Sequence, residues 1–162
     1  MSKVRTTAFF LVFFVFLVAS FTLGTTTQTE EMAGIRRFNT LDEGEEFLMG
    51  MPERHESALC LFFGTEDAQT GESWCPDCVI ACPVARRLCR TLRPELPLYE
   101  FSVGTVMEWK HARFVHPYRG NPLLRVQRIP TLLRFRDGAV VGRLVEADCA
   151  DEAKLREFLS EP

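Results

Sequence analysis

Apolar and polar positions along this chain fall into short blocks of two different periods. Ala58-Leu59-Cys60-Leu61-Phe62-Phe63 is continuously apolar and closed by Gly64, the pattern of a strand covered on both faces. From Cys78 to Leu92 the positions Ala81, Val84, Ala85, Leu88 and Leu92 recur at helical spacing, while Arg86, Arg87 and Arg90 collect on another side and read as a solvated face. Upstream, Thr40-Leu41-Asp42-Glu43 is a capping box that opens a helix to about Met49, preceded by an edge strand at Ile35 to Phe38. Downstream, Pro97 to Val103 reads as a further central strand. Leu132 to Arg136, Asp137-Gly138 and Val140 to Leu144 read as strand, turn and strand, hence a hairpin. Asp151 to Leu159 closes the chain as a helix, and the expected order is β-α-β-α-β-α-β-β-α.

Where the first buried strand hands over to the amphipathic helix stands Trp74-Cys75-Pro76-Asp77-Cys78. A thiol at a helix N-terminus faces unpaired backbone N–H groups and the positive end of the helix dipole, which favour thiolate. Cys75, first in the motif, is therefore the expected nucleophile. Cys78, three residues on and on the same helical face, is the expected resolving thiol. Asp77 opposes the shift, because a nearby carboxylate disfavours a second negative charge. Three other readings compete: two unrelated buried cysteines, a structural disulfide closing a very short ring, and a metal site using Cys75, Cys78, Cys82 and Cys89. Against the metal, four ligands on one helix face cannot easily surround an ion, and the expected metal content is none.

The motif is followed by Val79, Ala81 and Pro83 and preceded by Phe63-Gly64, Asp67, Gly71 and Ser73. With Val103-Gly104, Trp109-Lys110, Ile129-Pro130-Thr131-Leu132-Leu133, Leu144-Val145-Glu146 and Cys149 in the same order downstream, residues 32 to 162 resemble the thioredoxin-like family that contains thioredoxin domain-containing protein 17 and the plant Clot proteins. The resemblance implies a single α/β domain with the thioredoxin fold, a central mixed sheet flanked by helices. It implies that Pro130 is cis, faces Cys75 and Cys78, and leaves the Ile129 backbone to pair with an extended substrate. Trp74, Pro76 and Asp77 would border the same substrate. It makes Pro83 a proline that interrupts the hydrogen-bond ladder inside the helix. It further implies no bound cofactor, electrons drawn from NADPH through a thioredoxin reductase, and a monomer. Two departures stand out: Cys82 occupies a position where relatives carry a polar or acidic residue, and extra residues lie around Gly120 to Leu124. Ordinary thioredoxins also place a buried acid on the strand before the motif, and Cys60 to Phe63 contain none. Asp77, Glu66, Asp67 or water are then the candidates for taking the Cys78 proton.

At 162 residues, 46% hydrophobic and 25% charged, the chain can bury one ordinary core. A formal net charge of −3 argues against general nucleic-acid affinity. The Gly104 to Arg128 connection carries Trp109, His111, Phe114, His116 and Tyr118, aromatics that either line a substrate groove or pack the loop onto the sheet. His111 and His116 receive no role.

Residues 1–31 pull in another direction. Lys3 and Arg5 precede the twelve apolar residues Ala8 to Ala19, the pattern of a secretory signal peptide or a short anchor. The rival reading is an extension ahead of a start at Met32, matching relatives that are cytosolic. Location is accordingly left between cytoplasm and secretory pathway. Cys82 is weighed as a partner in a regulatory disulfide against a buried free thiol. The functional expectation is a protein-disulfide reductase acting through Cys75 and Cys78 on cystine-like small molecules or exposed protein disulfides. The alternatives are a redox-sensing binding scaffold or, in an oxidising compartment, a dithiol oxidase or isomerase.

Overall fold

A computed structural model describes residues 34–110 and 115–161. The hydrophobic segment Ala8 to Ala19, together with His111 and Phe114, lies outside the described residues. Five strands form one sheet in the order β1-β3-β2-β4-β5: β1 (Ile35–Phe38), β2 (Ala58–Phe63), β3 (Leu98–Ser102), β4 (Thr131–Arg136) and β5 (Ala139–Val145). β1 and β2 run parallel to β3, whereas β4 is antiparallel to β2 and β5 antiparallel to β4. The mixed sheet is as expected. Every residue of β2 is buried, as its unbroken apolar run requires.

Alternation along the strands decides which helix covers which face. Phe62, Phe101 and Phe38 stack toward α1 (Leu41–Met49), where Phe47 meets Phe38 at 4.6 Å between ring centroids. Tyr118, on the short α4 (Pro117–Gly120), closes the same face against Phe62. The opposite face carries Leu61, Phe63 and Glu100 beneath α2 (Pro76–Leu92), with α5 (Glu152–Ser160) packed beside α2. The α2 helix runs through Pro83, which has no N–H to offer the Val79 carbonyl.

Local signals account for several boundaries. Thr40 Oγ1 accepts from the Glu43 N–H at the start of α1, and Asp151 Oδ1 accepts from Ala153 and Lys154 N–H at the start of α5. Asp137 and Gly138 both have positive φ, 49° and 75°, the geometry of a type I′ turn, and join β4 to β5 as the Asp-Gly pair predicts. Two features differ from the expected order. The connection after β3 holds two short helices, α3 (Val106–Lys110) and α4, in place of one, and a 3₁₀ turn at Glu146–Cys149 precedes α5. These pieces are too short for hydrophobic periodicity to mark them.

The polar stretch from Gly64 to Ser73 is built rather than loose. Asp67 Oδ1 accepts from the Gln69 and Thr70 N–H groups, both at 2.9 Å, and Glu66 bridges to Ser73 in antiparallel fashion. Among the described residues no helix is long and apolar enough to cross a membrane.

Candidate active site

The C-terminal end of β2 delivers the chain to the site. Gly64 has no room for a side chain: a Cβ there would lie 2.8 Å from the Trp74 ring, 2.9 Å from Ser73 Oγ and 3.0 Å from Cys75 Cβ. The loop folds back so that Ser73 Oγ donates to the Gly64 carbonyl at 2.6 Å and accepts from the Cys75 N–H at 3.2 Å. Trp74 is fixed by its indole N–H, which donates to the Gly104 carbonyl at 2.9 Å. These bonds hold Cys75 at the N-cap of α2.

As N-cap, Cys75 Sγ accepts from the Cys78 backbone N–H at 3.3 Å. That is a role an anionic sulfur fills better than a neutral one. The Cys75 pKa is lowered, chiefly by hydrogen bonding with the Cys78 thiol and then by the backbone N–H groups of Cys78 and Asp77, against the opposing effects of burial and the Asp77 carboxylate. The Cys78 thiol is pushed far up, first by Cys75, then by Cys82, whose thiol lies within hydrogen-bonding reach, and then by burial. Cys75 is 5% exposed and Cys78 1%, so the edge of the pair that meets solvent is the Cys75 side.

Across from the dithiol, the Ile129–Pro130 peptide bond is cis and the Ile129 carbonyl lies 3.8 Å from Cys75 Sγ. On the far side of the same segment the Cys149 thiol contacts the Pro130 carbonyl at 3.7 Å. Trp74, Cys75, Pro76, Asp77 and Ile129 line one cleft of about 360 Å³, with Cys78 and Pro130 buried behind it. The residues singled out from sequence are thus brought together. All six cysteines are buried, and none is in a disulfide. Burial pushes Cys89 and Cys149 up to about 12. Cys75 alone among them combines a depressed pKa with a place on the cleft. Among the described residues no three metal-ligating side chains converge.

The candidates for proton transfer need correction. Asp67 is spent on its own turn, and Glu66 is held by Arg37 at 2.6 Å and Arg86 at 2.9 Å. Arg86 is no member of a solvated face: with Arg37 it also holds Glu100, a buried carboxylate on β3, at 2.7 and 2.6 Å. A buried acid therefore does exist near this end of the sheet, one strand over from β2 and fully paired. Asp77 stays exposed at the cleft, free of such partners.

Sequence reasoning missed several cleft residues. Val106, Arg119, Gln127, Arg128 and Glu146 line it, with Arg128 paired to Glu146 at 2.8 Å. Trp109 fills both roles left open for it, packing at 5% exposure while presenting a ring to the cleft. His116 has a structural task instead of none. Its Nε2 donates to the Val103 carbonyl at 3.0 Å and its Nδ1 accepts from the Tyr118 N–H, the pattern of a neutral imidazole, and burial pushes its pKa down. Only Arg128, next to Ile129-Pro130, had a local signal; the others reach the cleft through the path of the connection.

Comparison with known proteins agrees with this architecture. The model of the thioredoxin domain of thioredoxin domain-containing protein 17-like proteins matches residues 37–161. Thioredoxin domain-containing protein 17 of Homo sapiens is 34% identical over 116 residues, covering 71% of this chain and 87% of that protein. Thioredoxin-like protein Clot of Oryza sativa is 31% identical over 115 residues, covering 68% and 78%. Oxidised thioredoxin O2 of Arabidopsis thaliana superposes with a TM-score of 0.54 at 17% identity over 80% of this chain and 96% of that one, which shows the shared fold. On the sheet order, the cis proline and a family match that spans almost every described residue, this chain belongs to the thioredoxin domain-containing protein 17-like family of thioredoxin domains.

Proposed function

We propose that the protein is a disulfide reductase whose Cys75–Cys78 dithiol reduces cystine-like small molecules or exposed protein disulfides. The family supports thiol–disulfide oxidoreductase chemistry in general. The observation that carries the specific reading is the Cys75 sulfur at the N-cap of α2, accepting the Cys78 N–H, depressed in pKa, and open to a cleft bordered by Ile129.

The Cys75 thiolate attacks one substrate sulfur, the substrate S–S bond breaks, and the first half leaves as a thiolate. Cys78 remains a protonated thiol while Cys75 is anionic, because its elevated pKa comes first from that neighbour. Once Cys75 is tied up in the mixed disulfide, that effect disappears. Cys78 can then lose its proton to water or Asp77 and attack Cys75 Sγ, releasing the second half. Two electrons pass to the substrate and the Cys75–Cys78 disulfide remains. The Ile129 backbone and the Trp74, Pro76 and Asp77 surface hold the substrate across from Pro130. No bound cofactor takes part; reduction of the disulfide by NADPH through a thioredoxin reductase completes the cycle.

Purified residues 32–162, reduced and mixed with insulin or cystine in the presence of NADPH and thioredoxin reductase, should consume NADPH, and Cys75→Ser should not. Absence of turnover with any thioredoxin reductase, together with no effect of Cys75→Ser in cells, defeats the reading in favour of a redox-sensing scaffold.

A further inference from the structure

The cleft beside Cys75 contains a cation that has no counter-charge among the described residues. Arg119 lines it from α4, with its guanidinium carbon 3.8 Å from the Trp109 ring centroid. Among the described residues the Arg119 side chain makes no ion pair and no hydrogen bond, and its Nε is buried without a partner. This contrasts with Arg37, Arg86, Arg93, Arg128 and Arg134, each of which is paired with a carboxylate. Desolvation also pulls the Arg119 pKa down, so an arriving anion would relieve a cost the fold now carries.

The group is held in place. Its ring platform Trp109 packs edge-on against His116 at 4.8 Å, His116 is bonded to the Val103 carbonyl at the end of β3, and the Arg119 backbone N–H is bonded to the His116 carbonyl at 2.9 Å. With Nε buried against the ring, the two terminal N–H groups of the stacked guanidinium are the edge left for a carboxylate, which they fit in bidentate fashion. Other charges at the cleft do not displace this reading. Glu146 is taken by Arg128, Asp77 is exposed at the helix start, and Lys110 adds a second positive charge.

We propose that Arg119, stacked on Trp109, is the specificity residue of the cleft and binds a carboxylate on small disulfides whose sulfur is presented to Cys75. This rests on the reductase reading above, and the volume of about 360 Å³ suits an arm of amino-acid size rather than a folded protein loop. The chemistry is unchanged: the Cys75–S bond forms as the substrate S–S bond breaks, one carboxylate-bearing thiolate leaves, and Cys78 displaces the other. Arg119 is a binding and positioning group and takes no part in electron transfer.

Two measurements test the proposal. The first compares single-turnover oxidation of the reduced protein by three disulfides with two-carbon arms: dithiodipropionate (anionic), hydroxyethyl disulfide (neutral) and cystamine (cationic). Arg119→Gln should lower the rate ratio of dithiodipropionate to hydroxyethyl disulfide by about tenfold, the size of one charge-assisted hydrogen bond. It should raise the cystamine ratio. Arg119→Lys, which keeps the charge and loses the fork, should fall between. The second measurement needs no disulfide turnover: the rates of Cys75 alkylation by iodoacetate and iodoacetamide, mapped by mass spectrometry. Their ratio should drop several-fold in Arg119→Gln and hold in Arg119→Lys. An alkylation ratio unchanged in Arg119→Gln overturns the anion site even if the protein proves an active reductase. A lowered alkylation ratio with no disulfide turnover keeps the anion site and removes the reductase reading.

Discussion

Two clusters of buried ionisable groups lie under the same helix, and they have opposite designs. At the start of α2, Cys75 and Cys78 share hydrogen bonds with each other and with backbone N–H groups, and among the described residues no fixed cation neutralises them. Farther along, Arg86 reaches from α2 to Glu100 and Glu66, Arg37 grips the same two carboxylates, and all four charges are paired. Both arginines also lie over the Phe63 ring, at 5.1 and 5.2 Å from its centroid. In the first cluster the two thiols are shifted in opposite directions, Cys75 down and Cys78 up. In the second every charge has a fixed partner, so the cluster joins β1, β3, α2 and the loop before the motif and does no chemistry. What separates the two clusters is whether partners are left over: the thiols have no fixed counter-charge among the described residues, whereas Glu100, just as buried, has two arginines.

Breaking the first cluster should cost activity and little stability. Cys75→Ser is expected to lower disulfide reduction by about three orders of magnitude, because no other thiol in the cleft can replace the nucleophile. Serine is a preferred N-cap, so urea unfolding should change by less than about 0.5 kcal/mol. Breaking the second should do the reverse. Glu100→Ala leaves Arg37 and Arg86 with Glu66 as their remaining shared carboxylate and is expected to destabilise the domain by about 2 kcal/mol, below the cost of stranding a buried charge because both arginines keep that partner and some water contact. Pairing Glu100→Leu with Arg86→Met should recover part of that loss in the same urea titration, while the Cys75 alkylation rate in the folded protein stays near wild type.

Gly64→Ala sits between the two clusters and should touch both. The added methyl meets Trp74, Ser73 and Cys75 together, and an overpacked contact of this kind costs about 1–3 kcal/mol. The same displacement should slow Cys75 alkylation, which a purely structural loss would not. The smallest effect is expected for Asp77→Asn. The Asp77 carboxylate raises the Cys75 pKa, so its removal lowers it further. Alkylation by iodoacetamide rises with pH as thiolate forms and levels off above the pKa. The wild-type midpoint should already lie below that of an ordinary thiol, and the Asp77→Asn profile should move to still lower pH. A move to higher pH would overturn the charge effect assigned to Asp77.

Much of this was legible before any coordinates. The continuous apolar run of β2, the helical period of α2, the Thr40 and Asp151 caps and the Asp137-Gly138 turn are local patterns, each decided within a few residues. The placement of Cys75 and Cys78 was legible for the same reason, since a C-x-x-C at a strand-to-helix junction sets its own geometry. The Ile129-Pro130 partner came from the resemblance. The reading went wrong where a residue's partner is far away in sequence. Arg86 looked like part of a solvated helix face because its period matches Arg87 and Arg90, yet Glu100 lies beneath it. Glu66 looked like an available acid and is locked by Arg37, 29 residues upstream. Arg119 and Trp109 lie in a connection with no periodicity at all.

The sequence by itself determined the five strands, the three longer helices and their order, and it placed Cys75 and Cys78 at a helix start, because hydrophobic period, capping and helix-end electrostatics act over one or two turns of chain. Only the tertiary structure decided which charges are spent and which remain available. Pairing across 63 residues, as between Arg37 and Glu100, depends on strand register and on which face a side chain leaves. Register neutralises Arg37 and Arg86 beneath α2, while the path of the connection leaves Arg119, unpaired among the described residues, on Trp109 beside Cys75.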